Sequence, residues 1–244
     1  MKNILSHFKH KVLELIRQPM HMISTMVFPS IFFLFFARPN IDSVEGANLM
    51  LGSFASYAFL GVVFFQFGVD IAGERSNSWF LYLNTLKIKA HEILVARILS
   101  TILLALLAQL TLIAIVFVTT EANISMIQIL NMSLFLSLGS IPFAFLGLIV
   151  GFSLQPKSAL PISNLIYLCG AFVGGMWMPP AVLPETVEKI SVYLPTRHFA
   201  EIAWSITLKQ SYPVNYAYSL MLFTLVFGAI AYLIYQKKTL NQRL

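Results

Sequence analysis

Residues 93–119 read ILVARILSTILLALLAQLTLIAIVFVT, a run whose single charge, Arg97, stands near its start. A helix rises about 1.5 Å per residue, so a run of this length outreaches the roughly 30 Å hydrocarbon core of a bilayer. No soluble domain needs so long a helix that is apolar on every face. Working outward, runs of the same character occupy about 20–37, 49–71, 126–153, 159–178 and 216–236. The chain is 58% hydrophobic and 11% charged, far from the balance of a soluble protein. At about 20 residues per span, 244 residues hold six spans, short connections and little else. The runs are continuously apolar rather than alternating, so intrachain helices, not a barrel, satisfy the backbone. The expected fold is all-α: one polytopic transmembrane domain over 1–244 with six spans.

Lysine and arginine placement orients the chain. With a cytoplasmic N-terminus, the inner segments hold Lys2, Lys9, Lys11, Arg17, Arg75, Lys87, Lys89, Arg97, Lys157, Lys237, Lys238 and Arg243, leaving Arg38, Lys189, Arg197 and Lys209 outside. That bias puts both termini inside, and the net charge of +6 reflects it rather than nucleic-acid binding. Residues 1–19, MKNILSHFKHKVLELIRQP, place Ile4, Phe8, Val12, Leu15 and Ile16 on one helical face and the cations elsewhere, as an amphipathic helix on the inner membrane surface does. They lack the apolar core of a cleavable signal peptide. Pro19 is expected to turn the chain into the first span.

Two connections stand out. The longest inner one, within 70–92, carries Ser76, Asn77 and Ser78 as N-cap candidates, with Trp79, Tyr82, Leu83 and Leu86 at helical spacing. Such a helix suits either a pocket of a soluble partner or the lipid headgroups. The outer one, 179–206, follows Met176 and Trp177 and is too polar to span yet too apolar for a free loop. Pro184 is expected at a first helical position, with Glu185 and Glu188 at the positive helix end and Val187, Ile190 and Leu194 on one face. Pro195 is expected to stop this helix, and Thr196 to cap a second one carrying Phe199, Ile202 and Ala203.

Taken together, GERSNSWFLYLNTLKIKAHEILVAR (73–97), MWMPPAVLPETVEKISVYLPTRHFAEIAW (176–204), the amphipathic start and the six spans resemble the ABC-2 type permease family, the membrane subunits of bacterial drug, antibiotic, lipid and polysaccharide exporters. The resemblance covers essentially the whole chain. Leu86 departs from it, standing where many relatives carry a proline. It implies that Glu74, Arg75, Ser78, Trp79, Tyr82, Asn84 and Lys87 lie on a coupling helix that seats in an ATP-binding subunit, with the N-terminal helix beside it. It also implies a second permease, identical or paralogous, contact with membrane lipid, and a place in the bacterial cytoplasmic membrane. The 179–206 segment becomes two re-entrant helices forming an outer cap that includes Pro179, Pro184, Pro195, Arg197 and His198. No G-x-x-x-x-G-K-[ST] phosphate cradle occurs, so ATP and magnesium belong to the partner and this chain is not itself an enzyme.

Within the spans, Gln66, Asp70, Gln109, Asn131 and Asn164 are the main polar residues. Asp70 close to Glu74 and Arg75 suggests an ion pair at headgroup level, and the scarcity of deep ionisable groups argues against ion coupling. A pathway lined by Ser56, Tyr57, Phe64, Gln66, Asn164, Tyr167 and Trp177 would suit an apolar or amphipathic cargo. GLIVG (147–151) and GAFVG (170–174) have the small-residue spacing that lets helices approach, within the chain or between two chains. Pro29, Pro142 and Pro161 mark kinks. Cys169, the single cysteine, is expected to be a packing residue. An intramembrane serine protease is excluded because no serine and histidine share a depth, and the scattered histidines offer no metal site. The alternative is an ion-coupled multidrug carrier or a membrane scaffold, which would have no need of the long 70–92 connection.

Overall fold

The computed structural model describes residues 2–17, 19–75, 90–212 and 214–241, and among these there are helices and no strands. Helix α1 is Lys2–Arg17. Helix α2, Pro19–Phe32, passes into a π-turn at Phe33–Ala37 and a 3₁₀ turn at Arg38–Asn40. The long helices α3, Val44–Glu74, and α4, Ala90–Thr119, follow. Next come α5, Met126–Gly139, α6, Ile141–Ser153, and α7, Pro156–Val173. Two short helices, α8 (Glu185–Ser191) and α9 (Pro195–Thr207), precede α10, Val214–Asn241.

Among the described residues, four rods are long and apolar enough to cross a membrane: Val44–Glu74, Glu92–Thr119, Met126–Ser153 and Val214–Lys237. The third combines α5 and α6, which are divided at Ser140 because Pro142, at the start of α6, has no N–H to continue the ladder. Pro29 and Pro161 lie inside α2 and α7. Pro19 opens α2, where its missing N–H is one the first helical turn leaves unused.

Helix α3 is the axis of the molecule. It packs against α4, α6, α7 and α9, while α1 and α2 lie chiefly on α4, and α10 on α6 and α9. Ser43 starts α3 by accepting the Gly46 N–H at 3.1 Å. The closest seam is α3 against α6. A Cβ on Gly147 would lie 2.9 Å from the Phe64 carbonyl oxygen, and one on Gly151 2.6 Å from that of Phe67, so only glycine admits this approach. The second small-residue pair also works within the chain, since Gly170 and Gly174 face Thr196 of α9. Cys169 is not a packing residue: it is exposed, on a face of α7 shared with Leu165 and Leu168.

A network of polar contacts ties the α3 start to the neighbouring turns. The Asn48 side chain donates to the Asn123 carbonyl at 3.2 Å and accepts the Asn123 N–H at 2.8 Å. Arg38 donates to the Thr119 carbonyl at 2.5 Å, meeting an orphan acceptor at the end of α4. Ser125 and Gln128 form a capping box on α5, and the Gln128 amide also donates to the Ile206 carbonyl at 2.7 Å.

Candidate functional site

Two stretches of α3 gather most of the chemistry. At its C-terminal end, Glu74 and Arg75 hold different partners. The Glu74 carboxylate is met by the Lys11 ammonium of α1 at 2.7 Å and by the Arg97 guanidinium of α4. Arg97 is buried and donates a second bond, at 3.2 Å, to the Gln66 carbonyl. Lys11 also reaches Glu14, one helical turn away on α1, at 2.8 Å. Arg75 instead donates to the carbonyls of Gly151 and Phe152 at 2.6 and 2.7 Å, and its guanidinium stands 5.7 Å from the centre of the Phe152 ring. These carbonyls end α6 and have no acceptor role within their own helix, so a cation there also suits the helix dipole. Burial lowers the Arg75 pKa, but an arginine keeps its proton throughout the physiological range.

The ion pairing expected among Asp70, Glu74 and Arg75 is therefore replaced for Glu74 by partners on two other helices. The reason is geometric. Neighbours in a helix diverge by about 100°, so Glu74 and Arg75 face different sides and find different elements. Lys11 and Arg97 lie 63 and 23 residues away from Glu74 in sequence, separations that carry no local pattern. The remaining coupling-helix candidates Ser78, Trp79, Tyr82, Asn84 and Lys87, with the proposed cap at Ser76 to Ser78, lie outside the described residues.

Along the middle of α3, aromatic rings gather where α2, α3 and α7 meet. Phe32 stacks on Tyr57 at 5.6 Å and meets Trp177 edge-on at 5.1 Å. Tyr57 stacks on Tyr167 at 4.7 Å, and the Tyr167 hydroxyl donates to the Tyr57 carbonyl at 3.0 Å. Phe65 and Phe172 close the set against Tyr167 and Trp177. Of the pathway candidates, Tyr57, Tyr167 and Trp177 are thus brought together. Ser56, Phe64 and Gln66 are buried within the packed flanks of α3, and Asn164 is exposed on α7. Phe32, the hub of this cluster, was missed; its place was legible only as one more phenylalanine in an apolar run.

The 179–206 segment has the two short helices expected, with different boundaries. Pro184 is the N-cap of α8 rather than its first residue. Helix α8 already ends at Ser191, with Val192 as C-cap, and Pro195 begins α9 instead of stopping α8. Thr196 caps nothing: Leu194 occupies the N-cap position, and the Thr196 hydroxyl turns inward toward Gly174. Proline at an early helical position sacrifices no hydrogen bond, which is why it starts the second helix here. Phe199, Ile202 and Ala203 are buried as the α9 pattern predicts, whereas Ile190 of α8 is 60% exposed. Pro179 caps a 3₁₀ turn at Pro180–Val182. Arg197 pairs with Glu201 at 2.5 Å and lies 5.1 Å from the centre of the Trp204 ring. Trp204 donates to Ser53 at 2.7 Å. His198 is buried, contacts the Val192 carbonyl at 2.8 Å and stacks on Tyr216. The group of residues called a cap is therefore fastened to α3 and α10.

Comparison with known proteins agrees with this layout. The family described as ABC-2 family transporter protein matches residues 35–234. The chain belongs to that family. It is also 25% identical over 199 residues to YvfS of Bacillus subtilis (strain 168), a chain named as a transport permease, covering 79% of this chain and 80% of YvfS. An ABC-2 membrane domain of this kind is a transport permease, and the family works with ATP-binding cassette ATPases. Among the described residues no group of three or more histidine, cysteine or acidic side chains is gathered to hold a metal.

Proposed function

We propose that this chain is the membrane subunit of an ATP-driven exporter. In this reading it has six spans, the two shorter apolar helices α2 and α7 joining the four long rods. Both termini lie in the cytoplasm of a bacterial cell, α1 lies along the inner surface, and the segment from Pro179 to Trp204 re-enters from outside. Two permeases, identical or paralogous, enclose a pathway for an amphipathic or hydrophobic drug, antibiotic, peptide or lipid.

The observation that carries the reading is the anchoring of Glu74 and Arg75 where α3 gives way to 76–89. Between them the two side chains hold α1, α4 and α6. A push on the connecting segment would thus be passed to three helices at once. In our reading Ser78, Trp79, Tyr82, Asn84 and Lys87 take that push from the ATP-binding subunit, which carries ATP and magnesium. The pathway wall is assigned to Tyr57, Tyr167, Trp177 and the exposed Asn164, and the outer cap to Pro179, Pro184, Pro195, Arg197 and His198. Trp204 on Ser53 makes the cap move with α3.

The test is purification of the tagged chain from its host membranes in mild detergent, with identification of what accompanies it. The expected result is a soluble protein with a Walker A loop, lost when Trp79 and Tyr82 are both replaced by alanine, together with a second permease chain. Recovery of the permease alone, with transport that follows a proton or sodium gradient, would replace this reading by an ion-coupled carrier.

A further inference from the structure

We propose that Glu74 is a releasable latch, a positioning residue that holds α1 against the α3–α4 pair in one state of the transport cycle and lets it go in another. The inference rests on the exporter reading for its trigger, but the latch itself stands on four contacts. One carboxylate joins three separate helices: Lys11 of α1 at 2.7 Å, Arg97 of α4, and α3 from which Glu74 projects. Each cation also has a second acceptor. Lys11 keeps Glu14 at 2.8 Å on its own helix, and Arg97 keeps the Gln66 carbonyl at 3.2 Å.

That arrangement sets the order in which the contacts can open. A buried charge left without a partner is far more costly than a pair exchanged for another pair. If α1 moves away, Lys11 departs with Glu14, while Glu74 stays on Arg97, so no charge is stranded. Lys11 and Glu74 are both partly exposed, their side chains 26% and 31% accessible, so water can enter as they part. Arg97, 7% accessible, is held more deeply and remains with α3. The neighbouring Arg75 behaves in the opposite way. Both of its bonds go to carbonyls at the end of α6, beside a glycine seam that admits no slack, so it is a fixed pin. Adjacent residues thus give α3 one permanent and one breakable attachment, directly before the segment proposed to receive the push.

The experiment measures the position of α1 in the full chain within its native complex. Nitroxides are placed at Leu5→Cys on α1 and Val118→Cys on α4, both exposed positions, with Cys169→Ser and dilution by unlabelled chains. Without nucleotide, a single narrow distance is expected. Glu74→Gln and Lys11→Gln should each about double the width of that distribution or add a second distance, as local release of a packed helix does, while Glu74→Asp restores the narrow one. Lys11→Gln leaves the buried Arg97 paired, so it keeps the test valid if Glu74→Gln does not fold. Distances unchanged in Lys11→Gln would overturn the latch. Trapping the native complex with MgATP and vanadate should produce the released distance in the parent chain. If the variants release α1 and nucleotide does not, the latch stands and the ATP-driven reading fails; if nucleotide shifts α1 and the variants do not, the latch is overturned.

Discussion

Helices α3 and α10 are both long, apolar rods able to cross a membrane, yet 83% of the most apolar stretch of α3 is buried inside the chain and only 11% of that of α10. The most apolar stretch of the exposed helix is the more hydrophobic of the two stretches. In water this would be backwards. In lipid, apolar side chains gain nothing by leaving an apolar solvent, and helices are drawn together by close packing and polar contacts instead. Helix α3 has the means for both. It carries Gly46, Gly52, Gly61, Gly68 and Gly73, and it offers Ser53 to Trp204 and its end residues Glu74 and Arg75 to neighbouring helices. Helix α10 has Gly228 alone among glycines, and leaves Tyr218, Leu222, Leu225 and Leu233 facing outward.

The widest gap is expected between a glycine of α6 that faces α3 and the glycine of α10. Gly151→Leu drives a side chain into the Phe67 carbonyl, 2.6 Å from where its first carbon would stand, and backbone cannot yield as a side-chain tip can. We expect a loss of about 3 kcal/mol or more, read as collapse of the monodisperse peak in detergent or a lower Tm. Gly228→Leu, whose first carbon would meet the Phe145 ring at 3.6 Å, should leave the protein intact. Equal tolerance at both sites would mean that the α3–α6 seam is looser than drawn.

A smaller effect separates polar from apolar packing. Ser53→Ala removes the acceptor of the Trp204 indole N–H at a buried site, and should cost about 1–2 kcal/mol with no change in composition worth noting. Thermal unfolding of the detergent-solubilised chain measures it. If Ser53→Ala is neutral, the 179–206 segment is not fastened to α3 through this bond.

The smallest effect is expected on α10. Leu225 is 72% exposed, so Leu225→Ala should shift the stability of the isolated chain by no more than about 0.5 kcal/mol. Comparison of the Tm in detergent and in the native complex sharpens the point. A marked loss confined to the complex would show that a second chain covers this face, and that the contrast between α3 and α10 belongs to the subunit rather than to the assembled transporter.

Some of this was fixed by composition and spacing. Continuous apolar runs dictate helices because lipid offers no partner to a bare backbone group, so the places of α3, α4, α5 with α6, and α10 follow from the residues themselves. The 179–206 segment was legible as two short helices from its prolines and carboxylates. Its boundaries were not, because proline both ends one helix and begins another, and only the chain path from Val192 to Pro195 decides which.

What tertiary structure alone decided is which helix is central and which side chains meet. Every span is apolar, so hydropathy cannot rank them for burial; the ranking comes from how near two backbones can come, and that depends on the glycines of two helices at matching heights. The same holds for charge. Lys11, Glu74 and Arg97 were each visible near a membrane boundary, but an ion pair is a property of position in space. Three segments far apart in sequence had to be laid side by side before one carboxylate could hold two of them to the third.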